Sequence, residues 1–280
     1  NEIYVVTANE APNVMREIGR LREIAFRAAG GGTGKEVDID EFDTMEVPYK
    51  QLVLWNPEND DIIGGYRFLY GTDIRFDEDG QPLMATAHGM FRFSEKFINE
   101  FLPYTVELGR AFVALEYQST RMGSKSLFAL DNLWDGLGAL AIVLPGMKYY
   151  FGKVTMYPSY PTAARDVLLY FLREQFPDKD KLIEPIVPLL TGADEEPMKA
   201  LFCHENYKDN YRALKQEVQK SGVSIPPMVS AYMGLSATMR IFGTAVNYDF
   251  GNVEETGLLI AVDDLIEKKR ARYIDSYLNS

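Results

Sequence analysis

Residues 106–113 read Val-Glu-Leu-Gly-Arg-Ala-Phe-Val, a short and mostly apolar run that contains one carboxylate and one guanidinium group. Such a run is typical of a strand inside a sheet. Burying an ionised side chain without a partner costs on the order of several kcal/mol. Glu107 and Arg110 must therefore pair with other groups or take part in chemistry, and the rest of the chain is organised around this strand.

The spacing of Glu107 and Arg110 sets a geometric condition. In a regular strand, side chains three positions apart point to opposite faces, so these two can share a site only if the strand is bulged. Gly109 lies between them, and we expect the bulge there. A carboxylate in an apolar strand should also have a raised pKa, which suits a general base near neutral pH. A structural ion pair of Glu107 with Arg110 or Arg67 is the alternative.

The flanking sequence predicts a mixed α/β fold. An apolar face recurs at helical spacing from Asn13 to Ala29, and a glycine-rich stretch at 30–34, expected to be a mobile loop, ends this helix. The next predicted elements are strands Tyr49–Asn56 and Ile62–Tyr70 in a hairpin, a strand from Val106 to Tyr117, a helix Ser126–Leu144, a strand Tyr149–Tyr157 and a helix Thr162–Phe176. This order favours a sheet that is antiparallel at one end and parallel near the loop at 121–125.

The sequence changes character after residue 176. We expect residues 1–176 to form a core and residues 177–280 a mostly helical extension that completes the sheet, with a single domain as the alternative. In the extension the pattern predicts a charged helix, Asn206–Ser221, one clear strand, Gly257–Val262, and a helical tail, Asp263–Leu278.

The composition argues against several classes of function. A net charge of −12 without a basic tract disfavours general nucleic-acid binding and attachment of the whole surface to anionic lipid. The single Cys203 rules out an internal disulfide and fits a reducing compartment. The first ten residues lack the pattern of a signal peptide, and no apolar run reaches about 18 residues. We therefore expect a cytoplasmic protein, with peripheral contact at the inner membrane left open. His88 and His204 cannot form a His-rich metal site, and no metal is expected.

Acyl transfer to an amine would give Glu107 a role as base, and such a reaction also needs a site for the acyl donor. The loop Arg121-Met122-Gly123-Ser124-Lys125 opens a helix, so it offers free backbone N–H groups and the positive end of the helix dipole. We predict that Arg121, Gly123, Ser124 and Lys125 bind the phosphate or pyrophosphate of a phosphopantetheine donor. An ordinary strand-to-helix turn is the alternative.

The acceptor site is predicted from charged residues upstream of Glu107. Asp38, Asp40 and Asp43 would bind an amine, whereas Arg22 and Arg67 would bind a carboxylate. Solvated surface charge and packing salt bridges are the alternatives for these residues.

Taken in order, four motifs resemble a known pattern: Arg22-x-x-x-Phe26, Asp40-Glu41-Phe42-Asp43, Gly65-Tyr66-Arg67 and Glu107-Leu108-Gly109-Arg110. The same order occurs in two related branches of the GNAT-like acyltransferases. One branch is the acyl-homoserine-lactone synthases, and the other is the ornithine- and glycine-lipid N-acyltransferases, often labelled hemolysin-like. The second is the better match, because Leu133-Trp134-Asp135-Gly136, the segment 225–233 and Asp249-Phe250-Gly251 also resemble it.

The resemblance implies a GNAT-like fold, with a mixed central sheet splayed near its fourth strand. The donor would be a long-chain, often 3-hydroxylated, acyl group carried as a thioester on acyl carrier protein or coenzyme A, with no tightly bound cofactor. The acceptor would be the α-amine of a small amino acid, and the product a lyso-aminolipid. Glu107 would be the base or would order a water base, with Arg110 in the same catalytic set. The resemblance assigns the acceptor and acyl pocket to Arg22, Phe26, Asp40, Asp43 and Arg67.

Two features leave room for other interpretations. The phosphate loop has Lys125 where the family pattern ends in a small residue, so the choice between carrier protein and coenzyme A stays open. The Met- and Tyr-rich segment 228–242 would line an acyl tunnel, touch a membrane or fill the core. A non-catalytic GNAT-like protein that binds acyl chains or membranes is a second hypothesis, and the long C-terminal extension disfavours a homoserine-lactone synthase.

Docking of an acidic carrier protein would require a local basic face on this acidic chain. The candidates are Arg121, Lys125, Lys148, Lys153 and Arg165. Charge reversal at Lys125 or Lys153 is expected to weaken carrier binding at low salt.

Overall fold

The computed structural model describes residues 1–118, 124–192 and 194–275, with only the backbone described for 124–131. The strands are β1 (Glu2–Val6), β2 (Lys50–Asn56), β3 (Asp61–Tyr70), β4 (Phe91–Phe93), β5 (Thr105–Val113), β6 (Tyr149–Met156), β7 (Ile183–Pro185), β8 (Arg240–Asn247) and β9 (Val253–Ala261). Within these ranges, a seven-stranded sheet has the order β1-β2-β3-β5-β6-β9-β8, and β4 pairs with β7 in a small second sheet. Neighbours in the large sheet are antiparallel except β5 and β6, which are parallel. The mixed α/β sheet predicted from the sequence is confirmed.

Helices flank this sheet. They are α1 (Pro12–Ala29), α2 (Glu41–Thr44), α3 (Leu115–Gln118), α4 (Ser124–Val143), α5 (Thr162–Gln175), α6 (Glu195–Leu201), α7 (Tyr207–Lys220), α8 (Pro227–Met233) and α9 (Glu267–Arg270). In the parts of the chain that the structure describes, none of the helices is long and apolar enough to cross a membrane.

Helix α1 forms where the apolar spacing predicts it. Its buried face includes Met15, Ile18 and Phe26, and its end is set by Gly30, whose φ of 99° lies in the left-handed region that glycine tolerates. The loop that follows is anchored to the helix. Buried Glu23 accepts hydrogen bonds from the backbone N–H of Thr33 at 2.9 Å, from the Thr33 hydroxyl at 2.8 Å and from the Gly34 N–H at 2.8 Å.

A bulge interrupts β5 close to the predicted position. Gly109 pairs with Arg67 and Phe112 pairs with Gly65, so Tyr66 alone on β3 faces two residues of β5, Arg110 and Ala111. The residue with positive φ is Arg110, at 50°, so the bulge begins one residue after Gly109. It rotates the Arg110 side chain relative to a regular strand, which is the condition set by the sequence.

The sheet splays immediately beyond Glu107. The parallel pairing of β5 with β6 consists of Thr105 with Tyr149, Val106 with Tyr150 and Glu107 with Phe151. Strand β6 continues to Met156 with β9 as its neighbour, so the rest of β5 and the rest of β6 diverge. Glu107 therefore lies at the apex of the opening.

Several element predictions were wrong. The strand from Val106 ends at Val113 rather than Tyr117, because α3 begins at Leu115, directly after a last backbone hydrogen bond to β3 from the Ala114 N–H to the Ile63 carbonyl at 2.8 Å. Strands β1 and β8 were not predicted, and β9 begins at Val253 rather than Gly257. The predicted helical tail is broken into short helical turns up to residue 275, and its last three residues lie outside the described ranges.

The extension contributes directly to the large sheet through β8 and β9. Segment 228–242 mainly fills the core, since Val229, Tyr232, Met233 and Met239 are buried in one cluster around α5. The division at residue 176 stays a prediction.

Candidate active site

Glu107 is fully buried at the apex of the splay. One of its carboxylate oxygens accepts a hydrogen bond from the Tyr49 hydroxyl, and the other accepts one from the backbone N–H of Thr86. Burial raises the pKa of Glu107, while hydrogen bonds from Thr86 and Tyr49 offset part of the increase. The carboxylate thus combines a fixed orientation with the raised pKa that a general base near neutral pH requires.

Tyr49 and Thr86 hold this carboxylate from two separate segments. The Tyr49 hydroxyl accepts a hydrogen bond from the Ala85 N–H at 3.1 Å and donates its own proton to Glu107. Burial, followed by the charge of Glu107, raises the pKa of Tyr49 well above its usual value, so the phenol stays protonated. Thr86 is fixed in turn by a 3.0 Å hydrogen bond from its hydroxyl to the Leu108 carbonyl.

The charged residues upstream of Glu107 form a buried ion-pair network. A single guanidinium nitrogen of Arg67 donates to both oxygens of Asp40 at 2.7 Å and to Asp43 at 3.2 Å. Burial alone would lower the pKa of Arg67, but Asp43 and Asp40 outweigh it and raise the pKa. Asp40 also caps α2 through the backbone N–H groups of Phe42 and Asp43.

Arg22 enters the same network from α1. Its guanidinium lies 3.4 Å from Asp43 and donates to the side-chain oxygen of Gln51. Burial lowers the pKa of Arg22, and Asp43 opposes that shift. Burial raises the pKa of Asp43, but the charges of Arg22 and Arg67 outweigh burial and hold this pKa below its usual range.

This network bears on the predicted role of the upstream charges. Arg22, Arg67 and Asp43 are buried and paired with one another, which favours packing salt bridges, the alternative stated for them. Asp40 is the more accessible member, with 22% of its side chain exposed. The structure thus brings together the residues predicted as the acceptor site, and binding of the acceptor by them stays a prediction.

Arg110 does not pair with Glu107 among the described ion pairs, and neither does Arg67. The Nε atom of Arg110 lies 2.8 Å from Asp38, at an angle too poor for a hydrogen bond, and Nη2 lies 3.7 Å from Asp40. Its guanidinium also stacks over the ring of Phe250 at 4.5 Å. The bulge therefore places the Arg110 guanidinium against the ring of Phe250.

A cavity of about 540 Å³ occupies the splay between β5 and β6. Its wall includes residues 108–111 of β5 and 153–156 of β6, together with Phe26, Tyr66, Tyr157, Tyr232, Phe250 and part of the segment 223–228. Phe26 packs edge-on against Phe250 at 5.2 Å, so the predicted pocket residue Phe26 does line the cavity. Met228 and Tyr232 bring the Met- and Tyr-rich segment to the same wall.

Two predicted carrier-docking cations are not free. Lys153 is buried against Glu255, whose carboxylate accepts its hydrogen bond, and Arg165 pairs with Asp166 at 2.7 Å and Glu254 at 2.5 Å. The prediction that Lys153 forms part of a basic docking face is therefore wrong, because only 10% of its side chain is exposed and the residue lines the cavity. Lys148 is exposed and lies over the Tyr104 ring.

Most of the predicted donor loop lies outside the described residues. Arg121 and Gly123 lie outside the described residues, and so do the side chains of Ser124 and Lys125. The structure does describe the backbone of helix α4 from Ser124 onward, in agreement with a helix after the loop. Binding of the donor phosphate by these residues stays a prediction.

Comparison with known proteins gives the class. A family model described as an acetyltransferase (GNAT) domain matches residues 21–126. A curated glycine N(alpha)-acyltransferase of Bacteroides thetaiotaomicron is 62% identical over 280 residues, which cover 100% of this chain and 83% of the relative. One of the same name from Phocaeicola vulgatus is 64% identical over 278 residues, which cover 99% of this chain and 85% of the relative. No solved structure matches the chain.

A GNAT domain and relatives this similar over the whole chain define an acyl-transferring enzyme. The chain belongs to the N-acyltransferases of GNAT type.

Proposed function

We propose that this enzyme moves a long-chain acyl group from a phosphopantetheine thioester to the α-amine of glycine, giving an N-acylglycine, a lyso-aminolipid. The choice of glycine follows the name of two relatives that are 62% and 64% identical to this chain. A long acyl chain is supported by the largely aliphatic and aromatic wall of the cavity, which includes Leu108, Val154, Met156 and Met228.

The observation that carries the proposal is the opening of the sheet directly beside Glu107. Strand pairing ends at Glu107 and Phe151, and the cavity wall begins at Leu108 on β5 and at Lys153 on β6. The edge of β5 that faces this opening has backbone groups without a strand partner there, and they suit the amides of a pantetheine arm. A thioester lying in the opening would have its carbonyl near the carboxylate that must accept a proton.

The reaction balances with Glu107 as the proton acceptor. The neutral amine of glycine attacks the thioester carbonyl, an N–C bond forms, and the C–S bond breaks. The proton lost by nitrogen goes to Glu107, and protonated Glu107 then gives it to the leaving thiolate, so the donor leaves as a free thiol and Glu107 ends as a carboxylate. Glu107 is fully buried and does not line the cavity, so we propose that it acts through an ordered water.

The donor is proposed to be acyl carrier protein, with coenzyme A as the competing carrier. The two share the phosphopantetheine arm, so the cavity does not discriminate between them. Lys125 is the position to vary: its charge reversal should weaken binding of the acidic carrier protein at low salt but leave acyl-coenzyme A less affected.

The test is a substrate panel read by two signals. Purified enzyme is incubated with 3-hydroxyacyl carrier protein or the matching acyl-coenzyme A, and with glycine, alanine, serine, ornithine or homoserine lactone precursors as acceptors. Thiol release and the mass of the N-acyl product are recorded together. We expect one thiol per N-acylglycine and the highest rate with glycine.

Three outcomes would contradict the proposal. Preference for another amino acid would reject glycine as the acceptor. Absence of thiol release with every combination of donor and acceptor would favour a role in binding acyl chains or membranes. A hydrolysed fatty acid without amide product would indicate that water, and not an amine, is the acceptor.

A further inference from the structure

The acceptor's carboxylate needs a cation, and the cations first expected to bind it are occupied. Arg22 and Arg67 do not line the cavity and are held by Asp43, Asp40 and Gln51. Among the described residues, the charged side chains that do line it are those of Arg110, Lys153 and Glu255. The cations that remain for the acceptor's carboxylate are therefore Arg110 on β5 and Lys153 on β6.

Lys153 lies on the same face of the sheet as Glu107. The parallel register pairs Glu107 with Phe151, and Lys153 is two residues further along β6, so its side chain points the way that of Phe151 does. Across the opening, the corresponding residue of β5 is Gly109, which lines the cavity and has the Thr86 hydroxyl packed on its Cα. Lys153 interacts electrostatically with both Glu107 and Arg110.

Glu255 fixes the Lys153 ammonium without using all of its donors. The Glu255 carboxylate accepts hydrogen bonds from Lys153, from Asn247 at 2.9 Å and from the Thr155 hydroxyl at 3.3 Å. An ammonium group has three N–H donors, and one of them reaches Glu255. The other two have no hydrogen-bond acceptor among the described residues, which leaves them to an anion in the cavity. Burial lowers the pKa of Lys153 and Glu255 opposes the shift, so a second anion beside it would favour the charged form further.

We propose that Lys153 binds the carboxylate of the acceptor amino acid, with Arg110 as a second cation across the splay and Glu255 as the positioning residue. This inference rests on the proposed function. It explains why an acceptor would be an amino acid and not a simple amine: the carboxylate held at Lys153 directs the α-amine towards Glu107. The apolar walls of the cavity around Lys153 would then contact the acyl chain.

The test compares acceptors with and without a carboxylate in Lys153→Met. Loss of one charge-assisted contact should raise the KM for glycine roughly tenfold to a hundredfold. The KM for the acyl donor should stay within about threefold of the wild type, since the donor is not held by this charge. Glycinamide lacks the carboxylate, so it should be a poor acceptor for the wild type and lose little more in the variant. Lys153→Arg should recover part of the glycine KM.

Two further variants serve as controls for misfolding. Lys153→Met with Glu255→Gln removes both charges of the buried pair and leaves no unpaired ion, so it should fold while keeping the glycine defect. Lys220→Met removes an exposed lysine whose ion pair within the described ranges is with Glu217, and it should change neither KM. Thermal unfolding of each variant separates instability from weak binding.

Failure of this inference is distinct from failure of the proposed function. If the wild type acylates no amine, the proposed function fails. If the wild type acylates glycine but Lys153→Met lowers glycine and glycinamide activity equally, or raises the donor KM instead, then Lys153 has a structural or donor-binding role and only this inference is overturned.

Discussion

Asp43→Asn should destabilise the enzyme more than any surface change, because both oxygens of Asp43 face donors. One oxygen lies 3.4 Å from Arg22, 3.2 Å from Arg67 and 3.2 Å from the Asp40 N–H, and the other accepts from Gln51 at 2.9 Å. An asparagine would turn its NH₂ group towards one of these sets in either orientation. It would also leave two buried guanidinium groups short of one negative charge.

Breaking a buried ion pair by removing one partner costs about 3–5 kcal/mol. With an m-value of about 3 kcal/mol per molar urea, the unfolding midpoint should fall by about 1–1.7 M. The matched control is Glu36→Gln, which breaks the exposed pair of Arg16 and Glu36 and should leave the midpoint close to that of the wild type.

The pH dependence of stability follows from the sign of the shift at Asp43. Its pKa is lowered in the folded state, so its contribution is fully present above its unfolded pKa of about 3.9 and is lost as pH falls below that value. Asp43→Asn should therefore flatten the acid limb of the stability profile. A midpoint unchanged from the wild type, together with a raised KM for glycine, would refute the structural role and restore Asp43 to the acceptor site.

Two further substitutions probe the setting of Glu107. Tyr49→Phe removes a hydrogen bond that lowers the pKa of Glu107, so the acid limb of the kcat/KM profile should move to higher pH. The control is Tyr4→Phe, near the N-terminus on β1. An acid limb that does not move in Tyr49→Phe would show that the limb does not report the ionisation of Glu107. Gly109→Ala would place its Cβ 2.6 Å from the Thr86 hydroxyl oxygen and push aside the residue whose N–H holds Glu107. Its kcat should fall roughly tenfold or more for such a misplacement, whereas Gly192→Ala, with ordinary contacts, should not alter kcat. Equal kcat values in these two variants would contradict the positioning role of Thr86.

The local elements of the fold could be predicted because their signals are local. The helical spacing at 13–29 and the paired apolar runs at 49–70 correspond to α1 and the β2–β3 hairpin. The bulge followed from two charged residues three positions apart with a glycine between them. Strand β8 was missed because Gly243, with φ of 87°, and a register shift between Ile241 and Thr244 interrupt its alternation.

The site was harder to predict, because burial and pairing depend on contacts between distant parts of the chain. The sequence shows that Arg22 and Asp43 are charged, but their pairing is visible only in the fold, which brings α2 against α1. Tyr49 and Thr86 carry no local signal of their contact with Glu107. Lys153 and Glu255 are 102 positions apart, although a Lys and a Glu inside two mostly apolar strands were a signal that could have been followed.

The most direct measurement is the single-turnover rate of acyl transfer from acyl carrier protein to glycine, compared between the wild type and Glu107→Gln. The isosteric change keeps the shape of the side chain and removes the proton acceptor at the apex of the splay. We expect N-acylglycine from the wild type and a rate lower by roughly a hundredfold or more in the variant. Equal single-turnover rates in the two proteins would contradict Glu107 as the base and leave it a structural residue.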